Sequence, residues 1–377
     1  MSEMVRLGDV ATYVNGYAFK PSDWSDNGVP IIRIQDLTGN SYQSNYYNGS
    51  VDTKYEIKKG DILISWSASL GVYVWQGETA VLNQHIFKVV FDKVDVDVNF
   101  FRHQVEQILQ NASSAAHGAT MKHLTKPVFD SLPFYYPPLP EQRRIAAVLD
   151  KVSELIALRK RQLDLLDAMV KARFVEMFGD LIVNNLNWSQ VQLSNVATTR
   201  LGKMLDAKKQ TGKNTYPYLA NFNVQWFQFK LDNLNQMDFD ESDQIEFALE
   251  YGDLLVCEGG EVGRCAVWKN QVNNCFFQKA LHRIRCDKSI IIPDYLAWWF
   301  KVHANYNSFD DIVGSKATIP HLTGIKLKQL MIEVPPIDLQ NQFADFVQQV
   351  DKSKATVQQG LDRLNLLKSA LMQEYFG

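Results

Sequence analysis

The stretch whose residue types come nearest to a reactive loop is Glu258 to Arg264, "EGGEVGR". A glycine-rich run can cradle a phosphate or a methyl donor when it joins a strand to a helix. Here β-branched apolar runs flank it on both sides, so a turn between two strands is predicted instead. Methyl transfer to a flipped adenine needs an Asn/Asp-Pro-Pro-aromatic loop, but the Pro-Pro pairs of this chain follow Tyr136 and Val334. No Walker A run is present, and "PDYLAWWFK" lacks the Glu-x-Lys that would complete a nuclease site. The seven histidines contain no HExxH, and Cys257, Cys265, Cys275 and Cys286 contain no CxxC pair. No metal site and no cofactor are expected. The cysteines read as buried free thiols in a β-rich domain. An interaction role therefore outweighs catalysis.

A chain of 377 residues suits two domains. Its 46% hydrophobic and 21% charged content is that of an ordinary globular protein. The opening "MSEMVRLGDV" has no basic region followed by an apolar run, and the longest apolar patch, "SIIIPDYLAWWF", is broken by Pro293 and Asp294. No signal peptide, no membrane span and a cytoplasmic location are expected. The net charge of −3 opposes a simple basic nucleic-acid binder but allows a local basic face.

The elements that would position any binding residues come in two copies. "VRLGDVAT" (Val5 to Thr12) returns as "VQLSNVAT" (Val191 to Thr198), and "YEIKKGDILIS" (Tyr55 to Ser65) as "FALEYGDLLVC" (Phe247 to Cys257). "ATMKHLTKPVFDSLPFYYPPLPEQ" from Ala119 returns as "ATIPHLTGIKLKQLMIEVPPIDLQ" from Ala317, and "EMFG" from Glu176 as "EYFG" from Glu374. The offset is 198 residues across that whole last interval and 186 at the first block, so the ends of each copy match and the middles diverge.

Glu141 to Phe178 holds no Gly or Pro, with Pro140 at a first-turn position and Gly179 at a stop. The second copy predicts a helix from about Leu339 to Phe376, with Asp338 as N-cap and Gly360 inside. Phe343, Val350, Val357, Leu364 and Leu371 recur every seven residues, joined by Val347 and Leu361. In the first copy Ile145, Val152 and Leu166 share the register, joined by Leu149, Ile156, Leu163 and Val170, and Arg159 and Arg173 interrupt it. Helices about 57 Å long at ~1.5 Å per residue need a partner along their length. The heptads predict an antiparallel coiled coil about a pseudo-two-fold axis; the alternative is that each helix packs on its own domain. The divergent parts, with runs such as "VPIIRIQDL", "NQHIFKVVF" and "RCAVWKNQ", read as mixed α/β.

Two divergent α/β regions, each closed by "HLT…PP(L/I)…Q" and a long helix ending "FG", resemble the specificity subunit of Type I restriction–modification enzymes over the whole chain. The resemblance implies two α/β target recognition domains, residues 1–138 and 180–336, joined by spacer helices, 139–179 and 337–377. Each domain would read one half of a bipartite double-stranded DNA target. The helices would set the spacing and dock two methyltransferase subunits, restriction subunits would join through that core, and the chain itself would carry no chemistry. The alternative is a recognition or scaffold subunit of another DNA-modification or defence complex. The second copy has Pro320 for Lys122, and Asn341 and Gln342 for Arg143 and Arg144, which breaks the charge symmetry of the two docking faces.

Base edges are read by Arg, Lys, Asn, Gln, Ser and His, and phosphates by Lys and Arg. The candidates in the first domain are Lys20, Arg33, Gln35, Ser67, Ser69, His85, Lys122 and His123. Those in the second are Lys203, Lys208, Asn221, Asn223, Gln225, Arg264, Gln278, Lys279, Lys316 and His321. Each could equally be a solvated loop residue, and the two histidines of "HLT" could brace a turn. The Lys203 to Lys213 cluster reads as a phosphate tracker. For partner docking the candidates are Arg143, Arg144, Glu154, Arg159 and Arg161.

Overall fold

Each repeated sequence block is a joint of the fold. The structure, a computed structural model, describes residues 3–41, 43–115, 125–206, 210–309 and 321–377. Contacts divide the chain into two units, one of residues 1–161 with 358–377 and one of residues 162–357. Each unit therefore holds one α/β domain and a portion of both long helices.

In the first unit, strand Glu3–Arg6 pairs antiparallel with Pro133–Tyr136. Thr12–Asn15, Ile86–Val90, Ile62–Ser65 and Gly71–Val74 form an antiparallel sheet in that order. A second sheet runs Asn45–Tyr47, Val29–Ile32, Ala80–Leu82, Glu56–Ile57, with its middle pair parallel. Helix Val98–Ala115 buries Phe100, Phe101, Val105 and Leu109, an i, i+4 stripe, against Tyr13, Phe87 and Val89.

The second unit repeats this order. Ser189–Gln192 pairs with Met331–Val334, and Ala197–Leu201, Leu281–Cys286, Leu254–Cys257 and Cys265–Val267 form the first sheet. Asn235–Asp238, Thr215–Leu219 and Phe276–Phe277 form the second, and helix Pro293–Asn305 covers the core.

The repeated "GD" is a turn. Gly60 and Gly252 both have φ +96°, a left-handed backbone that glycine adopts at no steric cost. Asp61 then accepts from the Lys58 N–H at 2.8 Å, and Asp253 from the Glu250 N–H at 2.7 Å. The repeated glutamine after "PP" is a clamp. Gln142 and Gln340 are fully buried. Gln142 Oε1 accepts from the Asp97 N–H at 2.9 Å while its Nε2 donates to Pro137 O at 2.7 Å. Gln340 does the same with the Ile292 N–H at 2.9 Å and Pro335 O at 2.8 Å. Each ties the start of a long helix to the segment ahead of the domain's own helix. Removing either amide would orphan buried polar groups.

The long helices span Leu139–Phe178 and Ile337–Phe376, 40 residues each. Asp338 thus lies inside the first turn instead of capping it, where its charge faces the positive helix end. The first helix stops at Gly179, φ +74°. Within each unit the two helix portions run antiparallel. In the second unit, Phe174 and Phe178 meet Phe343 at 5.2 and 5.5 Å, Arg173 lies over Phe346 at 5.9 Å, and Asp167 pairs with Lys354. In the first, Arg144 lies over Tyr375 at 5.7 Å, and a Cβ on Gly360 would sit 3.7 Å from Arg159 Nε. Most heptad positions are buried: Ile145, Leu149, Val152, Ile156 and Val170 on one helix, Phe343, Val347, Val350, Val357 and Leu361 on the other; Leu163, Leu166, Leu364 and Leu371 are half-buried. The interruption at Arg159 lies beside Gly360 of the second helix.

An alanine methyl at Gly360 meets Arg159 at ordinary van der Waals distance. Gly360→Ala is therefore expected to stabilise the protein by about 1 kcal/mol, the helix-interior cost of glycine; an unchanged or lower denaturation midpoint would contradict this. A second expectation concerns acid. Burial lowers the pKa of His103, His282 and His303 below the ordinary value. The unfolded chain then takes up protons first as pH falls through about 6.5, so stability is lost below that point. Melting at about pH 5.5 should occur below melting at about pH 7.5, and His103→Gln should reduce the difference. A midpoint flat over this window would contradict it.

Candidate nucleic-acid interface

In each unit one short loop ties three segments together through backbone hydrogen bonds. In the first it is Asn83 to His85. Asn83 N–H donates to Ile32 O (3.0 Å), Gln84 N–H to Tyr17 O (2.9 Å), and His85 O accepts from Trp66 N–H (3.2 Å). In the second it is Gln278 to Ala280. Gln278 N–H donates to Leu219 O (2.9 Å), Lys279 N–H to Lys203 O (2.8 Å), and Ala280 O accepts from Glu258 N–H (2.9 Å). Glycine precedes the crossing each time: Gly16 N–H donates to Ile86 O and Gly202 N–H to Leu281 O, both at 3.0 Å. A Cβ on either would lie within 2.4 Å of a backbone carbonyl oxygen, Asn83 O or Gln278 O. His85 (φ +75°) and Ala280 (φ +97°) both take the left-handed backbone at the loop's end, and Ala68 (φ +58°) and Gly260 (φ +76°) take it in the turns that follow strands Ile62–Ser65 and Leu254–Cys257.

The frame has a third repeated part, the turn after strand Val29–Ile32 or Thr215–Leu219. The Asp36 carboxylate accepts from Arg33 N–H at 2.7 Å, and the Asn223 amide oxygen from Ala220 N–H at 2.9 Å. Backbone interactions thus build the same frame twice, and the side chains mounted on it differ: Tyr17 against Lys203, Gln35 against Phe222, Ser67 against Gly259, Gln84 against Lys279.

The structure sorts the predicted DNA-contact residues. Gln35, Ser69, His85, Gln225, Gln278 and Lys279 lie on the frame at partly or fully exposed positions. Gln225 Nε2 holds Phe222 O at 2.9 Å. Lys20 is exposed at the 3-10 turn Pro21–Asp23, and the Arg33 guanidinium stacks on Trp24 at 5.4 Å. His321 is exposed beside Leu322, which is buried and plugs the frame: Leu322 N–H donates to Glu258 O at 2.7 Å, and Leu322 O lies 3.0 Å from His282 Nε2.

Five residues expected at the surface are used inside the fold. Asn223 is 1% exposed and spends both ends of its amide on Ala220 N–H and Lys230 O. Ser67 is 5% exposed. Lys203 Nζ donates to Asp238 O at 2.7 Å and pairs with Asp243, so its charge is spent within the domain. Arg264 donates to the Asn221 carbonyl (3.0 Å) and amide oxygen (2.8 Å) and pairs with Glu261, while Asn221 Nδ2 donates to Gly259 O at 2.9 Å. Arg264 and Asn221 therefore lock the turn at Gly259 and Gly260 to the capped turn. Lys122, His123, Lys208 and Lys316 lie outside the described residues. The loop leading from the lysine cluster is pinned by Asp238, which accepts from Thr211 and Thr215 hydroxyls and the Gly212 N–H, bonds that hold its pKa down to about 2.

Nothing in a single copy marks Phe222, Trp66 or Gln84; only laying the loops "NQHIF" and "QKALH" over one another would have found the frame. The run "EGGEVGR" is the turn between strands Leu254–Cys257 and Cys265–Val267. Burial pushes the Cys257 thiol up to about 11 and those of Cys275 and Cys286 to about 12, which makes them poor nucleophiles. Among the described residues no group of three or more His, Cys, Asp or Glu side chains is placed to hold a metal ion, and no helix is long and apolar enough to cross a membrane.

Of the docking candidates, Arg143, Arg144, Glu154, Arg159 and Arg161 all lie at exposed positions of the first helix. Arg144 pairs with Glu141 and Glu154 with Lys151 along the same helix. Such exposed pairs contribute little to stability. Leucines stand open on the same helices: Leu158, Leu165 and Leu366 are 52%, 59% and 72% exposed.

The chain matches the model of the Type I restriction modification DNA specificity domain twice, over residues 1–168 and 185–366. It is 24% identical to the Type I restriction enzyme EcoBI specificity subunit of Escherichia coli, over 99% of this chain and 85% of that one. Its fold is similar to the S subunit of a Type I restriction-modification system from M. genitalium (TM-score 0.58, 13% identity, 100% and 96% of the two chains). It is also similar to a chain from a structural study of complex assembly and conformational transition of the type I R-M system (TM-score 0.59, 17% identity, 100% and 97%). The duplicated frame, the duplicated helix and the double match agree: this chain belongs to the Type I restriction modification DNA specificity domain family.

Proposed function

We propose that the chain is the DNA-specificity subunit of a Type I restriction–modification complex and that each α/β domain reads one half of a bipartite duplex target. The observation that carries this is one backbone frame built twice with different side chains on it. A shared frame gives both domains the same docking geometry, and different side chains give each its own base preference. Phosphate contacts come from exposed residues such as Lys20, Lys213 and Lys279. With a net charge of −3, the chain leaves much of the phosphate neutralisation to its partners.

The long helices act as spacer and docking surface. Their seam is apolar and buried, while their outer faces carry Arg143, Arg161 and the open leucines Leu158, Leu165 and Leu366. Arginine stems beside exposed leucine suit a protein interface. Two copies of the helix imply two methyltransferase subunits per chain, with restriction subunits joining through them. No membrane partner enters this reading.

Methylome sequencing of cells expressing the chain with methyltransferase subunits that assemble with it should show two specified blocks separated by a fixed run of unspecified bases. Inserting seven residues after Arg161 and seven after Val357 keeps the heptad register and lengthens each helix by about 10 Å. At ~3.4 Å per base pair the gap should grow by about three base pairs, with both blocks unchanged. An unchanged gap in a variant that still methylates would remove the spacer role.

A further inference from the structure

We propose that Phe222 is a specificity-determining residue of the second unit, and that its ring packs against the 5-methyl group of a thymine in that unit's half-site; this rests on reading the chain as a DNA-specificity subunit. Phe222 is 53% exposed on the 3-10 turn Asn221–Asn223. An exposed aromatic alone is ordinary on a protein surface. This one stands on a backbone pinned on both sides. Asn221 is fixed by Gly259 O (2.9 Å) and Arg264 (2.8 Å), Asn223 by Ala220 N–H (2.9 Å) and Lys230 O (2.8 Å), and the Phe222 carbonyl by Gln225 (2.9 Å). A rigidly displayed aromatic loses little entropy on binding, which is what an interface anchor requires.

Its position in the frame decides what it would touch. In the first unit the residue two places after the strand-crossing carbonyl's successor is Gln35, at the same step of the same capped turn. A glutamine amide can pair with both N6 and N7 of adenine in the major groove. Phenylalanine there has no donor or acceptor, so it can discriminate only by apolar contact. Among the four base edges in the major groove, thymine alone offers a methyl group. Neighbouring polar groups of the frame, Gln278 and Lys279, remain to bond adjacent bases and phosphates.

The test uses the full chain assembled with its methyltransferase subunits. Duplexes carrying the methylated motif would be made with deoxyuridine in place of each thymidine in turn, and binding measured for the parental complex and for Phe222→Ala. Losing one methyl contact, ~0.8 kcal/mol, should weaken the parental complex about fourfold at one thymine of one block. The Phe222→Ala complex should bind the thymidine duplex more weakly and no longer respond to deoxyuridine at that position. Its methylome should relax at that base pair and keep the other block. Because Phe222 is exposed, an unchanged melting midpoint is expected and keeps a folding defect apart from lost recognition.

Equal responses of the two complexes to every deoxyuridine substitution would overturn the proposal. So would a uniform loss on all duplexes, which would make Phe222 a generic contact. A parental complex with no preferred duplex is a separate failure: it would overturn the specificity-subunit reading, and this inference with it.

Discussion

The docking of each helix's last aromatic onto the domain of the other copy is the contact on which the architecture depends. Phe178, at the end of the first copy, is buried against Tyr295 at 4.8 Å and Phe343 at 5.5 Å in the second unit. Phe376, at the end of the second copy, packs on Phe100 at 5.4 Å in the first. Neither unit is closed by its own sequence copy alone. That requirement explains why "EMFG" and "EYFG" recur at the ends of otherwise divergent copies, and why the helices have the same length. A helix shortened by a turn would carry its aromatic about 5.4 Å away from the socket. Buried aromatic rings of this size dominate core energetics.

Given fixed sockets, diversity is confined to the surface of the frame. Backbone hydrogen bonds hold the crossing loop, and backbone groups are the same whatever the side chain. The loop can thus exchange Asn83-Gln84-His85 for Gln278-Lys279-Ala280 without loss of a framework bond. Some side chains that do structural work keep their type or a mimic of it in both copies: Gln142 and Gln340, Asp61 and Asp253, Asp36 and Asn223. Others do not: Lys203, which holds Asp238 O and Asp243, stands where the first copy has Tyr17. Side chains on such a frame can change while the fold stays constant.

Much of the fold was legible because its joints are repetitive. The heptads placed the buried helix seam, Gly179 its stop, and the flanking strands of "EGGEVGR" its role as a turn. Asp338 was misplaced because the helix starts two residues earlier than expected, at Ile337 instead of Leu339. The reading surface was legible only in part. Residue type alone nominated Asn223, Lys203 and Arg264, since sequence cannot say whether a polar group meets solvent or a partner across the fold. Asn223 and Asp36 are equivalent caps with different names, and Lys203 finds Asp243 across 40 positions of sequence. Phe222 went unmarked because it is apolar, and its exposure becomes meaningful only once its neighbours are seen to be pinned.

The most direct test of the account is an exchange of the first reading surface alone. Residues 12–130 would be replaced by those of a family member with a different target, leaving the Glu3–Arg6 and Pro133–Tyr136 strand pair and both helices in place. The methylated motif of the chimera would then be sequenced beside that of the parent. The account predicts that one block changes to the donor's, while the other block and the gap between them stay as they were. A chimera that still methylates but changes both blocks together, or leaves both as they were, would contradict it.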